Sequence, residues 1–383
     1  MHRRCDLRHR RPAGGMGGRA AARRGIVHPL DGRNPSAGCR RHPDPHRRGG
    51  ARMTTPLIDL FTRGIVAGES ASSMNADFRV YALPPKRVNR VRILAKLGDE
   101  DRTTTVPRPF THAAPPTVLH PGAGENIEWF AFSARQHTRG LGLAEWRELA
   151  ELEADPTGGL RARIGTKLAL QNLRRGMEPP QTGHDNAHYF DDIATVRAIA
   201  AVAVHGSDGA VEAADADAAI THSLDGLWSA RASAVLFGAL VDGAAADDAV
   251  RLAVEQLPEN TWSRRMAETS LRVAAEATGP LDRARRLSTQ VGDWVYSYPI
   301  AAPETFGFLL AHVAMAKGTD DLMLGALAQP RNAATLPALA GAAAAVLFGQ
   351  DGIPSGLEVG DIRLTGLGIP ALAGLTVDEA IRR

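Results

Sequence analysis

From residue 57 onward, apolar residues return every three or four positions along most of the chain, the spacing that buries one face of a helix. Leu57, Leu60, Phe61, Ile65 and Val66 predict a first helix ending in Gly68-Glu69-Ser70-Ala71-Ser72. Further helices are predicted from Glu125 to about Thr138, over 144–154, and over 160–176 on Leu160, Ile164, Leu168 and Leu173. Another starts at Ile193, directly after Asp191 and Asp192. Others follow over 213–220, from Ser229 to a turn at Gly243, and over 245–257, 261–277, 281–291 and 304–317. The last is Leu336 to Phe348, built almost wholly of small apolar residues. Gly341 and the run Ala342 to Ala345 leave little side chain, so a neighbouring backbone can come close. Residues 75–120 break the period: a strand-like pair leads into a loop marked by Pro107, Pro109, Pro115 and Pro116. A loop of this length is often a lid or rim. The expectation is an all-α bundle with long irregular loops.

Composition divides the chain in two. Residues 1–52 carry 14 Arg and no Lys against 3 Asp, while the remainder carries 31 Lys and Arg against 39 Asp and Glu. The basic balance therefore belongs to the tail and gives no ground for a nucleic-acid partner. The tail, rich in Arg, His, Gly and Pro, has no helical or strand period and too little apolar surface to fold. Two readings stand: a disordered basic arm, or sequence upstream of a true start at Met53. Residues 53–383 are then one helical domain. Both cysteines, Cys5 and Cys39, lie in the tail, which excludes a disulfide framework or a Cys zinc site from the body. No apolar run reaches about 18 residues without polar interruption, and the N-terminus lacks the apolar core of a secretory signal. The expectation is a cytoplasmic protein with no membrane partner.

The densest polar set is His184, Asp185, Asn186, His188, Tyr189, Asp191 and Asp192. It is a candidate site; it is equally a loop of Asx turns with a carboxylate capping the next helix. Glu125 and Glu128 fall in a first helical turn, where acids also serve the helix dipole. Thr335 stands where an N-cap belongs. Arg87, Arg90 and Arg92 alternate with apolar residues and suit either a phosphate or a solvated strand face. Trp294, Tyr296 and Tyr298 suit either a stacked base or sugar, or a rim.

Five short stretches, in order, carry a resemblance: Gly68-Glu69-Ser70-Ala71-Ser72, Gly124-Glu125-Asn126-Ile127-Glu128, Ala194-Thr195-Val196-Arg197-Ala198, Thr221-His222-Ser223 and Pro330-Arg331-Asn332-Ala333-Ala334-Thr335. Together, over roughly 57–356, they resemble the ADP-ribosylglycohydrolase family. Its closing motif, GGDxDT with Gly six residues after the Thr, aligns without a gap on Thr335 and Gly341, but its two metal-binding Asp positions fall on Asn332 and Ala334. Its opening Asp-Asp-Thr-Glu falls on Glu125, Asn126, Ile127 and Glu128. Arg197 falls on a family Arg, and Glu69 on an acid at the end of the first helix.

The resemblance implies an all-α orthogonal bundle that hydrolyses an N- or O-glycosidic bond in an ADP-ribose-like or other ribosyl compound. It implies Glu125 as a catalytic group and Glu69, Arg197 and His222 as substrate-binding. The dense polar loop beside the segment that lines the family's cleft adds Asp191 and Asp192, where the family has no carboxylates, as catalytic groups of a rebuilt site, and His184 and Asn186 as substrate-binding. It implies a Mg2+ cofactor on Glu125, Asn126, Asn332 and Thr335. Ala334 cannot ligate and the two Asn bring no charge, so a weakened metal site and a metal-free one both stay open. The partner implied is a small ribosyl substrate or an ADP-ribosylated group. Two alternatives stand beside the hydrolase: a catalytically inactive binding protein on the same fold, and an unrelated all-α interaction protein.

Overall fold

The structure, a computed structural model, describes residues 54–77, 123–155, 160–292, 299–349 and 362–383. The tail, residues 78–122 with Arg87, Arg90 and Arg92, and Trp294, Tyr296 and Tyr298 lie outside the described residues.

Ile58, Phe61, Ile65 and Val66 recur on one face and are buried, and they make α1, Thr54–Asp77. Its partner is α13, Leu336–Phe348. The two backbones touch: a Cβ on Gly341 would fall 2.0 Å from the Gly64 carbonyl oxygen, and one on Gly68 would fall 1.9 Å from that of Pro337. The close approach expected at Gly341 is therefore real. α1 does not end at Gly68–Ser72 as expected but runs on to Asp77. Gly68 is tolerated inside the helix because packing against α13 offsets its propensity cost, and the Ser72 hydroxyl donates back to the Glu69 carbonyl.

α2, Glu125–Arg139, packs on α6, Ile193–Ala218. Trp129, Phe132 and Trp146 form an aromatic knot between α2 and α3, Ala144–Glu153, with the two indoles stacked 5.7 Å apart. α4 spans Ile164–Arg174 and α5 is the single turn Gln181–His184. The predicted helix at 160–176 thus starts late. Leu160 is buried, and Arg163 is extended (φ −63°, ψ 154°), which turns its side chain inward. α6 carries a break at Gly206 (φ 69°, ψ −176°), a left-handed position that glycine adopts without strain.

α7, Leu224–Val241, lies along α6. Among the described residues it alone is long and apolar enough to span a membrane, yet most of it is buried within the bundle, as befits a core helix. α8 (Ala246–Glu255), α9 (Trp262–Ala275), α10 (Pro280–Gln290), α11 (Ala302–Ala314) and α12 (Thr319–Leu327) complete the array, with α9 against α11. A final short helix, α14 (Val377–Arg382), closes with a Thr376–Glu379 capping box. Among the described residues there are fourteen α-helices and only isolated β-bridges. The expected all-α fold is the observed one.

The C-terminal segment is tied to α2 by Glu128. That carboxylate accepts from the Thr365 hydroxyl and from the backbone N–H groups of Leu367, Gly368 and Ile369 at 2.7–3.0 Å. Glu128, which the resemblance sets among the remaining site carboxylates, is spent on holding this segment.

Candidate functional site

Three helix ends and one extended residue meet in a buried polar cluster. The first contribution is Glu69 from α1. Its two oxygens accept from the N–H groups of Gly124, Asn126 and Ile127 and from the Asn126 side-chain amide. A side chain from another helix thereby caps α2, whose own Gly124 offers no cap. Burial pushes the Glu69 carboxyl up to about 7, although the Asn126, Gly124 and Ile127 donors pull it down. Asn126 also donates to the Ala334 carbonyl at 2.7 Å, joining the start of α2 to the turn before α13. Its Oδ1 has no protein donor among the described residues.

The second contribution is the pair before α6. Asp191 and Asp192 are both buried. Asp191 makes an Asx turn to the Ile193 N–H and binds the His222 ring, Nε2 to Oδ1, at 2.9 Å. Burial alone raises it, but His222, Arg163 and the Ile193 N–H together bring it below the ordinary carboxylate value. Asp192 occupies the N-cap of α6 without capping it. Its side chain turns inward instead and accepts from the Thr305 hydroxyl at 2.7 Å. Burial pushes it up to about 6 against Arg163, Thr305 and Thr335. The loop is held on both sides, by Ala302 N–H to the Phe190 carbonyl and Ser223 N–H to that of Tyr189. A Cβ at Gly165 would collide with Asp191 Oδ2.

The third contribution is the turn before α13. Asn332 adopts a left-handed backbone (φ 59°). Its amide nitrogen donates to the Thr305 hydroxyl at 2.7 Å, and its Oδ1 has no protein donor among the described residues. Thr335 sits at the N-cap of α13, as expected, but makes no side-chain cap. Its hydroxyl accepts from Arg163 Nη2 at 2.6 Å.

Arg163 lies at the centre. Its Nη1 is 3.2 Å from Asp192 Oδ1, and its side chain is only 5% exposed. Its charge also acts on Glu125 and Asp191. Glu125 stands at the half-buried edge with Gly124 and Ala334. Burial raises its pKa, with Arg163 opposing, and its Oε1 has no protein donor among the described residues.

The cluster thus brings together Glu69, Glu125, Asn126, Asp191, Asp192, Asn332 and Thr335, with His222 behind Asp191. Three expected substrate-binding residues stand elsewhere. Arg197 is fully buried in an ion pair with Asp217 and against Trp146. Asn186 spends its amide on the Gly165 and Thr221 carbonyls. His184 is exposed on α5. Sequence reasoning missed Arg163 and Thr305. Arg163 was hidden at the edge of an amphipathic period, and Thr305 one residue after Glu304, whose own carboxylate is buried against Arg331.

The ADP-ribosylglycohydrolase family pattern matches residues 128–376. The chain belongs to that family. No curated protein matches it. Family membership suggests glycosyl hydrolase activity on ADP-ribose-like substrates. The match begins after Glu69, Glu125 and Asn126; Asn126 reaches the matched part through its bond to the Ala334 carbonyl, and Glu69 is tied to it through Asn126.

An ADP-ribosylglycohydrolase implies Mg2+, and the residues here fit it poorly. Hard cations want several anionic oxygens. At the aligned positions Asn126 and Asn332 are amides whose nitrogens already donate, and Ala334 has no donor atom. Glu69 is consumed by four donors, and Asp192 and Thr335 face a guanidinium. Among the described residues no three His, Cys, Asp or Glu side chains are grouped to hold a metal.

Proposed function

We propose that this ADP-ribosylglycohydrolase family member hydrolyses a ribosyl glycosidic bond in an ADP-ribose-like compound, with Glu125 as the acid/base group. The observation that carries this is Glu125 itself. It is the one cluster carboxylate at the half-buried edge, and it keeps an oxygen that no protein donor among the described residues engages. Burial raises its pKa above the ordinary carboxylate value, the direction that favours a group acting as proton donor. Asp191, held below the ordinary carboxylate range by its surroundings, supplies the fixed negative charge that favours an oxocarbenium-like transition state. The undonated amide oxygens of Asn126 and Asn332 suit sugar hydroxyls, which donate. His222 orients Asp191 through its 2.9 Å bond and is a positioning group.

The second reading, a binding protein that has lost catalysis, is favoured by Ala334 and by the amides at Asn126 and Asn332. The two separate in one experiment. The full chain is titrated calorimetrically with ADP-ribose and then incubated with an ADP-ribosylated peptide while release of ADP-ribose is followed by chromatography. The hydrolase reading expects release, and a fall of roughly 10²–10⁴-fold in Glu125→Gln. Binding without release supports the binding protein. Neither binding nor release sinks both.

A further inference from the structure

We infer that the Arg163 guanidinium takes the place of a divalent cation in this site, so that the cluster works without a bound metal. The inference rests on the hydrolase reading for its purpose, but its test does not need turnover.

A buried cluster of carboxylates needs positive charge to stay together. Here that charge is covalently attached. Arg163 reaches Asp192 at 3.2 Å with one terminal nitrogen and the Thr335 hydroxyl at 2.6 Å with the other. Those partners come from the start of α6 and the turn before α13. Its field extends to Glu125 and Asp191. One side chain thereby ties the turn before α13, which the resemblance gives to a metal, to the start of α6, and its charge reaches Glu125 at the start of α2. The extended backbone at Arg163, just ahead of α4, delivers the side chain from a direction independent of all three helix ends.

The exchange is consistent with what else has changed around it. A guanidinium carries one charge rather than two, and the site has correspondingly fewer anionic oxygens, with Asn126, Asn332 and Ala334 at the aligned positions. It presents donors in a fixed plane, and the groups facing it are acceptors. A second cation beside it would meet its repulsion across a few ångströms in a poorly solvated setting. A guanidinium has no open coordination position, so it cannot acidify a water as a metal does. Water activation therefore falls to a carboxylate at the edge, where Glu125 stands. The undonated oxygens of Asp191, Asn126 and Asn332 remain as acceptors for hydroxyl groups of a ligand.

The test is Mn2+ titration of the full chain, followed by the electron paramagnetic resonance signal of the free ion. The wild-type chain is expected to give no saturable loss of signal. Arg163→Gln, which removes the charge, is expected to bind Mn2+ at least tenfold more tightly, and Arg163→Lys, which keeps it, is expected to show no gain. Structural damage alone would move both variants together. Arg147→Gln, on an exposed face, serves as the control. Saturable Mn2+ uptake by the wild type, displaced by Mg2+, overturns the inference. So does equal affinity in wild type and Arg163→Gln. Where turnover is observed, its abolition by EDTA overturns it as well. If no substrate is turned over but the Mn2+ pattern holds, only the hydrolase reading falls.

Discussion

Arg197 and Asp217 show how an aligned residue serves stability. Both side chains are almost fully withdrawn from solvent, with Nε 3.0 Å from Oδ2. Nη2 donates to the Asp217 carbonyl at 2.9 Å, and the guanidinium lies 5.0 Å from the Trp146 ring. Ser133 donates to the same carboxylate. Removing one partner leaves the other as an uncompensated buried charge, which costs about 3–5 kcal/mol. Arg197→Met should therefore lower unfolding free energy by that amount in urea, and Arg197→Met with Asp217→Leu should recover a good part of it. The KM of the folded fraction should not change, because Arg197 touches nothing in the polar cluster. A rise in KM with unaltered stability would return Arg197 to the substrate. The sequence could not separate these roles: an Arg on an Ala-rich helix looks the same whether its partner is a ligand or an Asp twenty residues on.

At the scale of elements, the α1–α13 contact rests on absent side chains. A Cβ on Gly341 would lie 2.0 Å from the Gly64 oxygen and 3.0 Å from its carbonyl carbon, both backbone atoms that cannot swing away. Gly341→Ala must push the helices apart, so a loss of about 1–3 kcal/mol is expected despite the better helix propensity of Ala. Gly142→Ala, in a loop where the nearest atom is 3.7 Å off, should be neutral or slightly stabilising. Thermal unfolding of the two variants distinguishes a packing effect from a propensity effect. This contact was legible in the sequence, because Gly341 and the alanines after it declare a backbone approach by composition. The helix spans at 246–255, 262–275 and 280–290 were legible through their apolar period. The reach of Glu69 to α2 was not: the hydrogen bonds that it makes span more than fifty residues, and no periodicity encodes such a link. Nor was the clamp of Glu128 on residues 365–369, whose partners are mainly backbone N–H groups that any residue but proline supplies. Arg163 escaped for a related reason. Two basic residues ahead of an amphipathic helix look like a solvated end, and only the fold reveals that Asp192 and Thr335 await one of them.

For the whole molecule, buried titratable groups set a pH response in which the signs oppose. Glu69 and Asp192 have folded pKa values above their ordinary ones, so the folded state holds extra protons and their contributions diminish as pH rises through about 6–7. His312 acts the other way. It lies fully buried between α10 and α12, accepts at Nδ1 from Arg283 Nε at 2.9 Å and meets Gln329 at its other nitrogen. Arg283 is itself held by Asp321 at 3.2 Å. Burial first, and then the Arg283 charge, bring the imidazole from 6.5 down to about 3. The unfolded ring takes up a proton near 6.5 while the folded ring stays neutral to about 3. Between those values the unfolded state binds more protons, so the contribution of His312 is complete above 6.5 and is lost as pH falls through the window. The full shift corresponds to on the order of 5 kcal/mol, comparable to the whole stability of many domains. His312→Gln keeps an acceptor for Arg283 but cannot be protonated. It should cost stability at pH 7, where the imidazole packs against Gly325, and lose far less than the wild type between pH 6.5 and pH 4. Urea midpoints of both proteins across that range measure the difference directly, and the opposing carboxylates cancel because both proteins carry them. Parallel curves for wild type and His312→Gln would mean that acid unfolding starts elsewhere, with Asp191 and its His222 contact the next place to look.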